Sequence, residues 1–121
     1  MIDTITLPPL GDIQVVKPSL AASLDMVSTW GEKPTRAQIG RLCAAAIGIC
    51  CPHVKLPAYS MIDCHPIAYG GHCLEKLLRL GVTASDIYAV GVQLIDVMAE
   101  SLPSEAEVKE AENFTKSEAG N

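Results

Sequence analysis

Residues 33–52 read Lys-Pro-Thr-Arg-Ala-Gln-Ile-Gly-Arg-Leu-Cys-Ala-Ala-Ala-Ile-Gly-Ile-Cys-Cys-Pro, and this stretch decides the fold. Thr35 can accept a hydrogen bond from the first free backbone N–H groups of a helix, and Gln38 can reach back to the N-cap N–H. A long apolar run of small side chains follows, from Ile39 to Cys51, and stops at Pro52, where the ring cannot continue a helix. The spacing predicts a helix from about Pro34 or Thr35 to Cys50, with Ile39, Leu42, Cys43, Ala46, Ile47 and Cys50 as its apolar face. Ala44, Ala45 and Gly48 leave the other side smooth enough for close packing too.

Outward from this helix, similar starts and stops recur. Pro18 and Ser19 precede a helix expected to end at Trp30-Gly31, with Leu20, Leu24, Val27 and Trp30 as its buried stripe. A third helix is expected from about Pro66 to Leu80, started by Asp63, with Cys73, Leu74, Leu77 and Leu78 on its core side and Gly81 as the C-terminal stop. Gly70-Gly71 weakens its first turns by roughly 1 kcal/mol per glycine relative to alanine, which marks a close helix crossing or a boundary in the helix. Thr83-Ala84-Ser85-Asp86 starts a fourth helix, with Ile87, Val90, Leu94, Val97 and Met98 on one stripe and an end near Leu102-Pro103. Ser104 and Glu107 form a second capping box, opening an acidic fifth segment whose few anchors are Val108, Ala111 and Phe114. Residues 115–121 read as unstructured.

The first 17 residues read as extended, two β-prone runs about Pro8-Pro9-Leu10-Gly11 that make a hairpin or an arm. A lone two-stranded ribbon is marginal in water, so it has to dock on the helices or on another subunit. Residues 51–65 form a long loop, either functional or packed down by Val54, Leu56 and Tyr59. The expected architecture is one mainly α domain of four to five short helices: an extended arm or hairpin over 1–17, a helical core over 18–103, and an acidic helix and tail over 104–121.

Composition narrows the function. The chain has 121 residues, 49% of them apolar, yet its only aromatics are Trp30, Tyr59, Tyr69, Tyr88 and Phe114. A core of Ala, Leu, Ile, Val, Met and Cys lets helices approach closely but buries little area per residue, so the isolated subunit should be modestly stable and oligomerisation is a possible supplement. The net charge is −5 and no basic cluster exceeds Lys33, Arg36 and Arg41, which argues against nucleic acid as a partner. The N-terminus lacks a basic n-region and a long apolar stretch, and no apolar run approaches the roughly 20 residues of a membrane span. A cytosolic protein with reduced thiols is expected.

Chemistry-bearing residues are present but scattered. Cys50, Cys51 and His53, then Cys64 and His65, then His72 and Cys73 invite a zinc test. Cys43, Cys50 and Cys73 fall on apolar helix faces, where cysteine acts as a small hydrophobe, and this reading is preferred. Cys64 beside His65 invites a nucleophile test, but adjacent residues do not face each other on a helix, and no oxyanion loop or orienting side chain supports it. Gly70-Gly71 lacks the Lys-Ser or Lys-Thr of a phosphate loop, and Asp25, Asp63, Asp86 and Asp96 read as caps or surface groups. No catalytic residue, metal or cofactor is assigned.

Trp30 through Gly48, Pro66-Ile-Ala-Tyr-Gly-Gly and Ala111-Glu-Asn-Phe-Thr resemble, in style and order across residues 18–115, the tail assembly chaperones of long-tailed bacteriophages and prophages. The resemblance implies a small, acidic, helical, non-enzymatic protein of the host bacterial cytoplasm. It would bind the tape measure protein and tail tube subunits, and it would have a mobile C-terminus. The cysteine and histidine content departs from that pattern. The partner-binding surface is expected at Trp30, Leu77, Met98 and Phe114. The alternatives are a structural virion component, such as a head–tail connector or capsid accessory protein, and a zinc-binding or thiol-dependent protein.

Overall fold

The centre of the molecule is a helix that water does not reach along most of its length. The computed structural model of the chain describes residues 3–60 and 65–119; for Glu105 and residues 114–119 the description is of backbone alone. An antiparallel hairpin of β1 (Thr4–Leu7) and β2 (Gly11–Gln14) leads into α1 (Leu20–Gly31) and α2 (Arg36–Cys50). After a single 3-10 turn at Pro52–Val54 come α3 (Pro66–Arg79), α4 (Ala84–Glu100) and α5 (Glu105–Ala119). The domain is mainly α, as the sequence predicts.

The α2 start has the expected chemistry. Thr35 Oγ1 accepts from the Gln38 N–H at 3.3 Å, and Gln38 Oε1 accepts from the Thr35 N–H at 2.8 Å. Everything from Leu42 to Ile47, together with Gly40 and Cys50, is buried. α3 and α4 pack on α2, and α1 rests on α4 and α2. Both large interfaces close at a glycine. A side chain at Gly70 of α3 would overlap the Arg41 carbonyl of α2, and one at Gly91 of α4 would overlap Cys43. Backbones can meet this closely only where no Cβ intervenes.

Around α2 the remaining pieces are fixed one by one. The hairpin docks through Ile5, Leu7 and Ile13, all buried, with Ile5 opposite Ile13 in the register. The Val16 N–H donates to the Cys50 carbonyl at 2.8 Å, fastening the exit of the ribbon to the end of α2. α3 ends in a Schellman arrangement: Gly81 at φ +89, with the Val82 N–H on the Leu77 carbonyl and the Gly81 N–H on the Leu78 carbonyl. The 55–60 segment is packed down, with Val54, Leu56 and Tyr59 against the core. Among the described residues no helix is long and apolar enough to cross a membrane.

Four expectations are corrected. The buried face of α1 is Ala22, Ser23, Met26 and Thr29, not Leu20, Leu24, Val27 and Trp30. Small side chains let α1 lie close to its neighbours, and the Thr29 hydroxyl is satisfied by the Asp25 carbonyl at 2.8 Å. Leu78 is 48% exposed, because the core side of α3 is set by Tyr69, Gly70, Cys73 and Leu77. His65 is the N-cap of α3, its Nδ1 accepting from the Ile67 N–H at 3.2 Å; the expected starter, Asp63, lies outside the described residues. Lastly, α5 runs on to Ala119 where an unstructured end was expected, since no glycine or proline interrupts it before Gly120.

The glycines give a direct test by urea denaturation in dilute solution. Gly70→Ala and Gly91→Ala force backbones or Cβ atoms apart and should each cost about 2 kcal/mol or more. Among the described residues Gly71→Ala meets nothing closer than the Arg41 side chain at 3.9 Å, and it should instead raise stability by about 0.5–1 kcal/mol.

Candidate functional site

The thiols and imidazoles come first, because they carry the sharpest chemistry in the sequence. Cys43, Cys50, Cys51 and Cys73 are free thiols, all fully buried. Burial pushes Cys43, Cys51 and Cys73 up to about 11, and Cys50, which also faces Cys51, up to about 12. At neutral pH all four are protonated and shielded, the opposite of what a nucleophile or metal ligand requires. His53, His65 and His72 are exposed. Among the described residues no group of three His, Cys, Asp or Glu side chains is placed to hold a metal ion. Cys64, the thiol weighed as a nucleophile, lies outside the described residues.

What the surface offers instead is apolar. Leu20 is 60% exposed and Leu24 is 50% exposed. Val27 and Trp30, half-buried, continue the same row along α1. The stripe read from the sequence therefore exists, with its spacing of three and four residues, but its leucines face away from the core and only Val27 and Trp30 pack partly against it. The signal that would have revealed this is the competing row at 22, 26 and 29 with Ser23 beside it, masked by its two hydroxyl residues.

Local chemistry holds this stripe in place. Pro18 precedes α1, and Ser19 Oγ accepts from the Ala22 N–H at 3.1 Å. On the flank of the helix the Tyr59 hydroxyl donates to Asp25 Oδ2 at 2.7 Å. Tyr59 in turn lies edge-on to Tyr69, with ring centroids 4.9 Å apart, and the Tyr69 hydroxyl donates to the Pro57 carbonyl at 2.6 Å. This chain of contacts runs from α1 through the 55–60 segment to α3.

The four expected partner-binding residues separate. Trp30 ends the outward row of α1. Leu77 and Met98 are both at 0% exposure, packed in the core against α2, so neither presents surface to a partner. Their hydrophobic spacing was read correctly and their role was not: the innermost residue of a stripe belongs to the chain's own core. The Phe114 side chain lies outside what is described; α5, which carries it, joins none of the extensive packing contacts, and its side chains from Ala106 to Asn113 are exposed. Comparison with protein-family models, with curated proteins and with solved structures finds no match.

The thiols set a pH dependence. A thiol whose folded value is raised above its unfolded value binds its proton more tightly when folded, so its stabilising contribution is complete below the ordinary value near 9 and is lost as pH rises toward 11–12. Thermal unfolding followed from pH 8 to pH 11 should show a falling midpoint. At pH 8 the aromatic disulfide DTNB should titrate these four thiols only after denaturant is added.

Proposed function

We propose that this chain is a non-enzymatic binding protein that receives an apolar helix of another protein on the outward row of α1, in the role of a phage tail assembly chaperone. The observation that carries the reading is the exposure of Leu20 and Leu24 on a capped helix. Anchors at such spacing are how a helix meets an apolar helical partner. The protonated, buried thiols fit a core built of small hydrophobes better than a reacting centre. The acidic surface, net −5, fits a partner that is not nucleic acid.

Magnitude adds to the reading. At roughly 25 cal/mol per Å², covering two half-exposed leucines and the remainder of Val27 and Trp30 supplies only a few kcal/mol before the costs of association. A single copy would hold its partner weakly. A long partner with repeated apolar segments, as a tape measure protein has, would be held by many copies at once.

The test is a pull-down from phage-producing cells, read by mass spectrometry, with three baits: the full chain, the same chain carrying Leu20→Glu and Leu24→Glu, and a chain ending at Leu102. The full chain should recover a long helical tape-measure-like protein. The double variant should lose it while keeping its circular dichroism and melting temperature, because neither side chain is in the core. Loss on truncation would add α5 to the contact. Equal recovery by the double variant would overturn the assignment to α1, and recovery of portal, capsid or mature-virion proteins would replace the chaperone by a structural virion component.

A further inference from the structure

A second apolar face, on α3, has its own logic. Ile67, Gly71, Leu74 and Leu78 recur at helical spacing along the flank of α3 beside its buried row, Ile67 and Leu74 half-buried against the core and Leu78 exposed, with the exposed Ala68 next to them. Together with Arg41 of α2 and Glu75 they line a shallow hollow of about 380 Å³. Gly71 is the telling residue. Its neighbour Gly70 is required by the Arg41 carbonyl, but a Cβ at Gly71 would meet only the Arg41 side chain, at an ordinary 3.9 Å. Nothing among the described residues requires glycine there, and mid-helix glycine lowers helix stability relative to alanine. A small residue at an open position is what a close approach from outside would need.

We propose that this face is a two-fold contact with a second copy of the chain, the two α3 helices packing antiparallel. Shape and charge select the same arrangement. Along α3 the face is low at Ala68 and Gly71 and raised at Ile67, Leu74 and Leu78. A two-fold axis at the level of Cys73 sets Leu78 of each copy over Ala68 of the other, ridge into hollow. The same operation sets Glu75 opposite Gly71 of the second copy, where the Arg41 side chain stands. Among the described residues Arg41 has no ion-pair partner, and Glu75 pairs only with Arg79 on its own helix, at the surface. A parallel pairing would lay ridge on ridge and like charge by like charge. One pair of four-turn helices buries less than the roughly 1,200 Å² of a standard interface, so the dimer is weak, with a dissociation constant of about 10–100 µM. This contact uses no residue of the α1 row and stands or falls apart from the chaperone reading.

Sedimentation equilibrium of the full chain from about 10 µM to about 1 mM tests it. The wild-type chain should pass from monomer to dimer. Leu78→Glu, at an exposed position, should stay monomeric with unchanged circular dichroism. Arg41→Glu alone and Glu75→Arg alone each place like charges opposite one another and should weaken association by roughly ten-fold. Mixed together, the two single variants meet with opposite charges at both contacts and should form heterodimers at wild-type strength, a rescue that misfolding cannot imitate. A wild-type chain that remains monomeric to the top of the range overturns the proposal. So does a Leu78→Glu variant that dimerises normally, or a mixture that fails to recover association.

Discussion

The molecule depends on how closely two helices approach α2. At Gly70 the α3 backbone passes over the Arg41 carbonyl, and at Gly91 the α4 backbone passes over Cys43. Two contacts this tight, within one turn of α2 and on opposite sides of it, set the positions of α3 and α4 and with them the small volume left for the core. That volume suits a core of Ile, Leu, Ala and Cys, and among the described side chains Tyr69 is the one aromatic fully inside it. It also explains the cysteines, which the resemblance to phage chaperones left unaccounted for. In a closely packed interior a thiol is an apolar filler of intermediate size.

Much of this was legible in the sequence, for reasons that differ by element. Caps are local, so the starts of α1, α2, α4 and α5 at Ser19, Thr35, Thr83 and Ser104 followed from a hydroxyl residue ahead of an apolar or acidic run. The end of α3 at Gly81 is local in the same sense. Facing is not local. α1 carries two helical rows, and hydrophobicity ranks the leucine row above the Ala22–Met26–Thr29 row. Packing reversed the order, because a helix laid against a crowded bundle needs small side chains beneath it more than large ones. The same inversion governs Leu77 and Leu78, adjacent leucines of which one is central and the other on the surface. Composition cannot separate neighbours that point in different directions.

The result is a protein with a few residues of each kind on the unexpected side. Its core holds two hydroxyl residues, Ser23 and Thr29, and its surface holds rows of leucine on α1 and α3. These rows lie on different helices, one row flanked by few charges and the other bounded by Arg41 and Glu75. The acidic α5 stands apart from both.

Ser23 carries one more consequence. Its hydroxyl is buried without a hydrogen-bond partner among the described residues, and such a group costs on the order of 1–3 kcal/mol. The penalty falls on α1, which has the smallest packed contacts of the four core helices. Among the four core helices, α1 is then the one that detaches at the lowest free energy, before the α2–α3–α4 unit gives way. The helix that displays the leucine row is thus also the one most easily lifted from its seat, and its backbone amides would exchange with solvent while those of α2 remain locked.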